Sequence, residues 1–314
     1  MLKTIAAAGL AGLLALAAVP AHAADKLTVL LDWYVNPDHA PLIVAKEMGY
    51  FDAAGLDVTL VPPADPSAPP RLVAAGQAEV AVSYQPNLYL SVKEGLPLVR
   101  FGTLVSTPLT ALVALKDGPV KSIADLKGKT VGYSVAGLED ALLGTMLADA
   151  GLKPEDVTMV NVNFALSPAL VAGKVDAVIG AYRNFELTQI KLEGKEGVAF
   201  FPEEHGVPVF DELIYVTRKD LIADPRLKRF LGAVESATIY ILNHPDAAWQ
   251  VFVKANPKLD DELNRTAWQD TLRRFAHAPA ALDAGRYARF GAFMKQHGLI
   301  DTVEPVEAYA PALP

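Results

Sequence analysis

The hydrophobic pattern of the chain alternates between two kinds of segment. Short, continuous apolar runs, which are typical of strands buried on both faces of a sheet, are separated by stretches with helical spacing. Glycine or proline stands between most of these segments, as is usual where one element ends and the next begins. This order of strands and helices predicts a mainly parallel α/β sheet. The predicted strands cover residues 27–31, 57–61, 79–82, 98–105, 109–115, 130–133, 157–162 and 175–179.

Helical spacing fills the gaps between these strands and dominates the C-terminal part of the chain. Several of these segments end at a glycine, which is a common stop signal for a helix. The predicted helices cover residues 40–48, 71–75, 88–93, 138–150 and 168–172, and residues 225–297 are strongly helical by pattern.

One order of features occurs twice. Residues 72–82 and 170–179 each contain a short helix, a glycine, and an acidic residue inside an apolar strand. This repeat predicts two related α/β lobes with a ligand cleft between them. We expect one lobe to take residues 24–111 and 212–314, including the C-terminal helices, and the other to take residues 112–211.

Composition and charge exclude several functional classes. The chain has 314 residues, with 28 Lys or Arg against 36 Asp or Glu, and its net charge is −8. Because such an acidic chain is repelled by phosphates, we expect no nucleic-acid partner. The absence of cysteine excludes disulfides, cysteine-ligated metal and cysteine nucleophiles. No zinc-type histidine spacing, P-loop or nucleophile elbow occurs, so we expect no metal, cofactor or catalytic residue.

The N-terminal segment predicts export from the cytoplasm. Lys3 is followed by an apolar stretch at residues 5–19, and Ala21-His22-Ala23 fits the small-residue rule for signal peptidase. The stretch is short and rich in Ala and Gly, so a signal peptide at residues 1–23 is favoured over a membrane anchor. A lipoprotein is excluded because no cysteine follows. The mature chain should begin near Ala24 and reside in the periplasm.

Polar and aromatic side chains follow several of the predicted strands. In open α/β sheets the ligand lies at the carboxyl ends of the strands, so these residues are candidates for a binding site. Rings stack on Trp and Tyr, while amides and carboxylates bond ring nitrogens and amino groups, so the set favours a flat, polar heterocycle. The candidates are Asp32, Trp33, Tyr34 and Asn36 after the first strand, Ser83 and Tyr84 after the third, Thr107 before the fifth, and Tyr182, Asn184 and Glu186 after the last.

Several of these residues also fit structural roles. Trp33 could pack in the core, Asp32 could cap a turn, and Glu186 could complement a helix dipole. His39 could cap a helix start or bond a backbone carbonyl. Arg183 leaves a second ligand class open, because a guanidinium in the cleft could clamp a sulfonate, carboxylate or phosphate.

Short motifs in the chain resemble those of a known family. Residues 31–39, Leu-Asp-Trp-Tyr-Val-Asn-Pro-Asp-His, with Gly-Tyr-Phe at 49–51 and Gly-Leu-Asp-Val at 55–58, resemble the opening of the thiamin-pyrimidine-binding proteins of ABC importers. Leu-Lys-Gly-Lys-Thr-Val-Gly at 126–132 also resembles a motif of the wider NMT1-like group. This group includes alkanesulfonate- and nitrate-type binding proteins. The resemblance to the pyrimidine-binding subgroup depends on residues 31–39 and on Gly-Ala-Tyr-Arg-Asn-Phe-Glu at 180–186.

The resemblance implies a two-lobed, type II-like periplasmic-binding-protein fold that closes on a ligand in the cleft. It implies that the ligand is a thiamin pyrimidine precursor, formylaminopyrimidine or hydroxymethylpyrimidine, delivered to an ABC permease in the inner membrane. Trp33 and Tyr182 would then stack on the ring, Asn36 and Glu186 would bond it, and Tyr84 would form a wall. The full set of predicted ligand-binding residues is Asp32, Trp33, Asn36, His39, Ser83, Tyr84, Thr107, Tyr182, Asn184 and Glu186.

Two alternatives stay open beside this prediction. The first is the same class of protein with a sulfonate, a nitrate-like anion or another aromatic heterocycle as ligand. The second is an enzyme similar to the fungal pyrimidine synthase, which uses a lysine bound to pyridoxal phosphate and a nearby histidine. Those two positions correspond by local match to Ser83 and Asn87 here, and a serine cannot form the imine. We therefore expect a binding protein without enzymatic activity.

Overall fold

The computed structural model describes residues 23–314, and for residues 138–140 it describes the backbone alone. The predicted signal peptide, apart from Ala23, therefore lies outside the described residues. Ten strands in the described part form two five-stranded sheets. The strands are β1 (Asp25–Leu30), β2 (Leu56–Val61), β3 (Val80–Ser83), β4 (Leu98–Val105), β5 (Thr110–Leu115), β6 (Thr130–Tyr133), β7 (Thr158–Asn161), β8 (Ala177–Tyr182), β9 (Gly197–Phe200) and β10 (Leu213–Arg218).

Twelve α-helices cover these sheets in the same part of the chain. Three of them begin with a proline, at Pro69, Pro225 and Pro245. Proline is favoured there because the backbone N–H groups of the first turn have no partner within the helix. The helices are α1 (Ala40–Glu47), α2 (Tyr50–Ala53), α3 (Pro69–Ala74), α4 (Gln85–Lys93), α5 (Leu138–Asp149), α6 (Leu166–Val171), α7 (Glu186–Leu192), α8 (Pro225–Asn243), α9 (Pro245–Ala255), α10 (Glu262–Thr271), α11 (Ala284–Gln296) and α12 (Val306–Tyr309).

The two sheets follow one plan and define two lobes. The first lobe holds the sheet β2-β1-β3-β10-β4, and the second holds β7-β6-β8-β5-β9. In each, β1 or β6 pairs parallel with two neighbours, and β10 or β5, which follows a crossing between the lobes, pairs antiparallel with one of those neighbours and with the edge strand β4 or β9. Four strands of each sheet therefore run in one direction, as the prediction of mainly parallel sheets requires, and β10 in the first lobe and β5 in the second run against them.

The acidic residue of the repeated pattern has the same structural role in both lobes. A carboxylate oxygen of Glu79 accepts the backbone N–H of Thr28 at 2.9 Å, and one of Asp176 accepts that of Thr130 at 2.9 Å. Each carboxylate thus lies just before its own strand and binds the neighbouring parallel strand. The repeat in the sequence therefore reflects a repeated stabilising contact in the two sheets.

The C-terminal helices pack mainly on the first lobe. Helices α8 and α9 lie against α1, and the rings of Phe51 and Phe230 stack there at 5.5 Å. Trp249 and Trp268 meet edge to face at 5.3 Å, both fully buried. Helix α10 also contacts α7 of the second lobe. This helix therefore joins the two lobes beside the cleft.

Two chain crossings connect the lobes, one between β4 and β5 and one between β9 and β10. They are bonded to each other by Glu212, whose buried carboxylate accepts the backbone N–H groups of Leu109 and Thr110 and the Thr110 hydroxyl. The lobe boundaries at residues 111 and 211 stay a prediction. Among residues 23–314, none of the helices has both the length and the apolar character that crossing a membrane requires.

Candidate functional site

A narrow cavity lies between the lobes, at the carboxyl ends of β1, β3, β6 and β8. Its volume is about 30 Å³, and we call this small space the slot. Six of the ten residues predicted to bind ligand line it, together with residues from both lobes that were not predicted. Its lining is Asp32, Trp33, Asn36, Asp38, Tyr84, Ser134, Val135, Leu166, Gly180, Tyr182, Phe185 and Glu186.

Asp32 is held by two donors from the first lobe. Nε2 of His39 lies 2.9 Å from one carboxylate oxygen, and the Tyr84 hydroxyl donates to the other at 2.9 Å. The backbone N–H of Asn36 donates to Nδ1 of His39 at 3.3 Å, so the hydrogen-bond network assigns the ring hydrogen to Nε2. His39 is fully buried and absent from the cavity lining, so it cannot touch a ligand in the slot directly. Its effect on the site is to position Asp32 through their hydrogen bond.

Asn36 and Asp38 lie in the single helical turn that follows the first strand. The Asn36 side chain accepts the backbone N–H of Asp38 at 2.8 Å and so caps this turn, with Pro37 next in the chain. Asp38 accepts hydrogen bonds from the Asn184 side chain at 2.8 Å and from the Thr271 hydroxyl at 2.7 Å. The Asp38 carboxyl group of the first lobe is thus hydrogen-bonded to the second lobe and to α10. Burial raises the pKa of Asp38 to about 6.

Tyr182 and Glu186 form the second lobe's part of the cavity. A carboxylate oxygen of Glu186 accepts the backbone N–H of Tyr182 at 2.6 Å, at the start of α7. Burial raises the pKa of Glu186 to about 7, and burial likewise raises the pKa of Tyr182. Among the described residues, the Tyr182 hydroxyl has no hydrogen-bond partner. This lobe therefore supplies an aromatic ring and a carboxyl group with few protein donors.

Aromatic rings from the two lobes meet over the cavity. Phe164, which follows β7, contacts Trp33 edge to face at 4.7 Å and Tyr34 at 4.3 Å between ring centroids. Trp33 is half-buried, and Tyr34 is 51% exposed. Phe164 was not among the residues predicted from the sequence, because an isolated aromatic residue in a loop is most often a packing residue.

Four predicted ligand-binding residues lie outside the cavity lining. His39 and Asn184 reach it indirectly, through Asp32 and Asp38. Ser83 is buried in β3, where it pairs with β10, and Thr107 lies in the crossing between the lobes, where its hydroxyl accepts from Arg274 at 3.2 Å. A direct role of these four residues in binding stays a prediction.

Arg183 points away from the cavity. Its guanidinium forms a two-pronged ion pair with Glu203 at 2.6 and 2.9 Å and lies 3.9 Å from the ring centroid of Phe201. It also donates to the backbone oxygens of Leu109 and Thr110. The cavity lining consequently contains three carboxyl groups and no Lys or Arg. Within the described residues, no cluster of His, Asp and Glu is placed to hold a metal ion.

The arrangement suits a planar ring that carries hydrogen-bond donors. Aromatic side chains from both lobes line the slot together with three carboxyl groups. An anion would be repelled by Asp32, Asp38 and Glu186 and would find no cation in the lining. The slot thus favours neutral or cationic heteroaromatic ligands.

Sequence comparison identifies relatives that cover most of this chain. A Haemophilus influenzae protein named for thiamine biosynthesis is 54% identical over 93% of this chain and 93% of its own length. A formylaminopyrimidine-binding protein of Halalkalibacterium halodurans is 36% identical over 80% of this chain and 77% of its own. A more distant relative from Schizosaccharomyces pombe, 26% identical over 81% of this chain and 76% of its own, is named 4-amino-5-hydroxymethyl-2-methylpyrimidine phosphate synthase.

Structure comparison confirms the predicted fold. The alkanesulfonate-binding protein of Xanthomonas axonopodis pv. citri, solved with MOPS, superimposes with a TM-score of 0.71, covering 90% of this chain and 97% of that one at 17% identity. The fold is therefore the two-lobed fold of periplasmic binding proteins. The NMT1/THI5-like family matches residues 36–248. On this match and on the two relatives above 30% identity, the chain belongs to the NMT1/THI5-like family.

Proposed function

We propose that this chain is a periplasmic solute-binding protein of an ABC importer. Its ligand is a thiamin pyrimidine precursor, formylaminopyrimidine or hydroxymethylpyrimidine, which it delivers to the permease in the inner membrane. The observation that carries the proposal is the cavity itself, because its lining contains the rings of Trp33 and Tyr182 and three carboxyl groups but no Lys or Arg. The printed name of the Halalkalibacterium halodurans relative supports this ligand class.

We propose roles for individual residues that agree with this geometry. Trp33 and Tyr182 stack against the pyrimidine ring, and Asp32 accepts a hydrogen bond from its amino group. Asp32 keeps this capacity although two donors hold it, because each carboxylate oxygen has a second lone pair. Glu186 bonds the ring from the second lobe, either as a carboxylate accepting from the amine or as a carboxyl donating to a ring nitrogen.

Binding without catalysis is the second part of the proposal. At the position of the synthase lysine this chain has Ser83, which is 2% exposed inside β3 and lacks an amine for an imine. The neighbouring candidate position, Asn87, likewise supplies no imidazole. The more distant relatives are named as synthases, and this chain has Ser83 and Asn87 at the positions that correspond by local match to the lysine and histidine of the fungal synthase.

An anionic ligand is the weaker alternative. The sulfonate-binding structural neighbour supports the fold alone, since its sequence identity is 17%. Arg183, which would be needed for an anion clamp, is already engaged by Glu203. No Lys or Arg lines the cavity.

Tryptophan fluorescence and thermal shift test the proposal. The chain from Ala24 is unfolded and refolded to remove any carried ligand, then titrated with formylaminopyrimidine, hydroxymethylpyrimidine, thiamin, taurine and nitrate. A saturable change with a pyrimidine precursor is the expected result. Its thermal shift should be lost in Trp33→Ala and kept in Leu192→Ala, at an exposed position of α7 outside the cavity lining. A response to taurine or nitrate alone would overturn the ligand class.

A further inference from the structure

The loop after β7 carries an aromatic ring from the second lobe onto the first. Phe164 is half-buried between Trp33 and Tyr34, at centroid distances of 4.7 and 4.3 Å. Both of those rings follow β1. The contact therefore exists only while the two lobes are close together.

The backbone holds Phe164 in this position. Asn163 has a φ of +48°, the left-handed conformation that is uncommon for residues other than glycine. Its backbone N–H donates to the Asn161 side chain at 2.7 Å, and its carbonyl accepts from the Ser134 hydroxyl. Because Ser134 lines the narrow cavity, the loop that presents Phe164 is bonded directly to the cavity wall.

A wider groove lies outside the narrow cavity. Its volume is about 320 Å³ against about 30 Å³ for the slot, and Phe164 and Tyr34 line this outer groove but not the slot. Trp33 lines both the slot and the outer groove. The three rings of Trp33, Tyr34 and Phe164 therefore lie at the boundary between these two spaces. The residues shared by the two linings are Trp33, Asn36, Leu166, Phe185 and Glu186.

We propose that Phe164 is a ligand-retaining residue of the site, which closes with Trp33 and Tyr34 over the bound ring and sets its rate of release. This inference rests on the proposed function. A ligand in the slot leaves through the outer groove only after Phe164 has separated from Trp33. The ring contact thus adds to the barrier for release, whereas binding to the open form meets no such contact.

Stopped-flow fluorescence tests the retaining role with formylaminopyrimidine as the probe. Phe164→Ala is expected to release the probe about tenfold faster while its association rate stays within about twofold. Phe164→Leu, which keeps apolar volume without a ring, should give an intermediate rate. Leu192→Ala, at a 48% exposed position on α7 that lines neither space, is the matched control. A release rate for Phe164→Ala equal to that of the control overturns the inference.

Acrylamide quenching provides a readout that needs no ligand. Trp249 and Trp268 are 2% and 1% exposed, so quenching of the three tryptophans reports mainly on Trp33. Phe164→Ala should increase the quenching constant, and Leu192→Ala should not. An unchanged constant overturns the inference whether or not a pyrimidine binds. If the unsubstituted chain binds no pyrimidine but the constant rises, the proposed function fails and the covering of Trp33 by Phe164 stands.

Discussion

The two lobes present carboxyl groups to one cavity in opposite ways. In the first lobe, Asp32 receives hydrogen bonds from His39 and Tyr84, so its orientation is fixed before any ligand arrives. In the second lobe, Glu186 receives a backbone N–H from Tyr182, and burial raises its pKa to about 7. The first lobe is therefore a preorganised acceptor, while the second holds a carboxyl whose ionisation is costly and responsive to its surroundings.

The largest effect should come from removing the preorganised acceptor. Asp32→Ala leaves the buried Nε2–H of His39 without its partner and removes the bond from Tyr84. We expect the free energy of unfolding to fall by about 4 kcal/mol, measured by urea denaturation. Tyr84→Phe, which removes one of the two bonds, should cost about 1 kcal/mol. Equal losses in the two variants would contradict the role of His39 as a positioning residue.

The second lobe should respond to substitution in the opposite direction. The native state binds the Glu186 proton more tightly than the unfolded state, because burial raises the pKa from 4.5 to about 7. This group therefore lowers the stability of the wild-type chain as pH rises through that window. Glu186→Gln should remove this dependence, so that at pH 8 the variant is more stable by up to about 3 kcal/mol and at pH 4.5 the two are similar. A variant with an unchanged pH slope in urea denaturation would contradict this.

The junction between the lobes and α10 should show an intermediate effect. Thr271→Val keeps the shape of the side chain but removes a hydroxyl that donates to Asp38 at 2.7 Å. A hydrogen bond to a buried carboxylate contributes about 1.5 kcal/mol, so the unfolding free energy at pH 8 should fall by this amount. Thr302→Val, at an exposed position near the C-terminus, serves as the control. A loss no greater than that of the control would remove Asp38 from the contacts that hold the lobes together.

The smallest effect concerns positions where the lobes are alike. Glu79 and Asp176 each accept one backbone N–H of a neighbouring strand at 2.9 Å. Glu79→Ala and Asp176→Ala should each lower the free energy of unfolding by about 1 kcal/mol. Glu79 also lies 3.7 Å from Arg226, so its replacement should cost slightly more. A large difference between the two variants, measured by urea denaturation, would show that the repeat in sequence does not reflect an equivalent contact.

The sequence predicted the strands well where local pattern decides the structure. Strands β4 and β6 have the predicted bounds, because each is an apolar run closed by polar or glycine-containing segments. Strand β9 was missed, since its four residues are half-buried and follow a polar run at the edge of the sheet. The antiparallel entry of β5 and β10 was also missed, because strand direction depends on the path of the chain between lobes.

The sequence predicts only those residues of the candidate site that follow closely after a predicted strand. Trp33, Tyr84, Tyr182 and Glu186 line the cavity for that reason. Asp38 was missed because its partners Asn184 and Thr271 are 146 and 233 residues away in the chain. The sequence likewise does not predict whether the Arg183 side chain points into the cavity. Its orientation depends on the ion pair with Glu203 and on packing against Phe201, and no local motif reveals either contact.

Calorimetric titration of the refolded chain from Ala24 tests the central claim most directly. The claim is that a slot with two ring faces, three carboxyl groups and no cation binds an aminopyrimidine and rejects anions. Titration with formylaminopyrimidine should give saturable heat with one site per chain, and titration with taurine should give none. Saturable heat with taurine and none with formylaminopyrimidine would contradict the account.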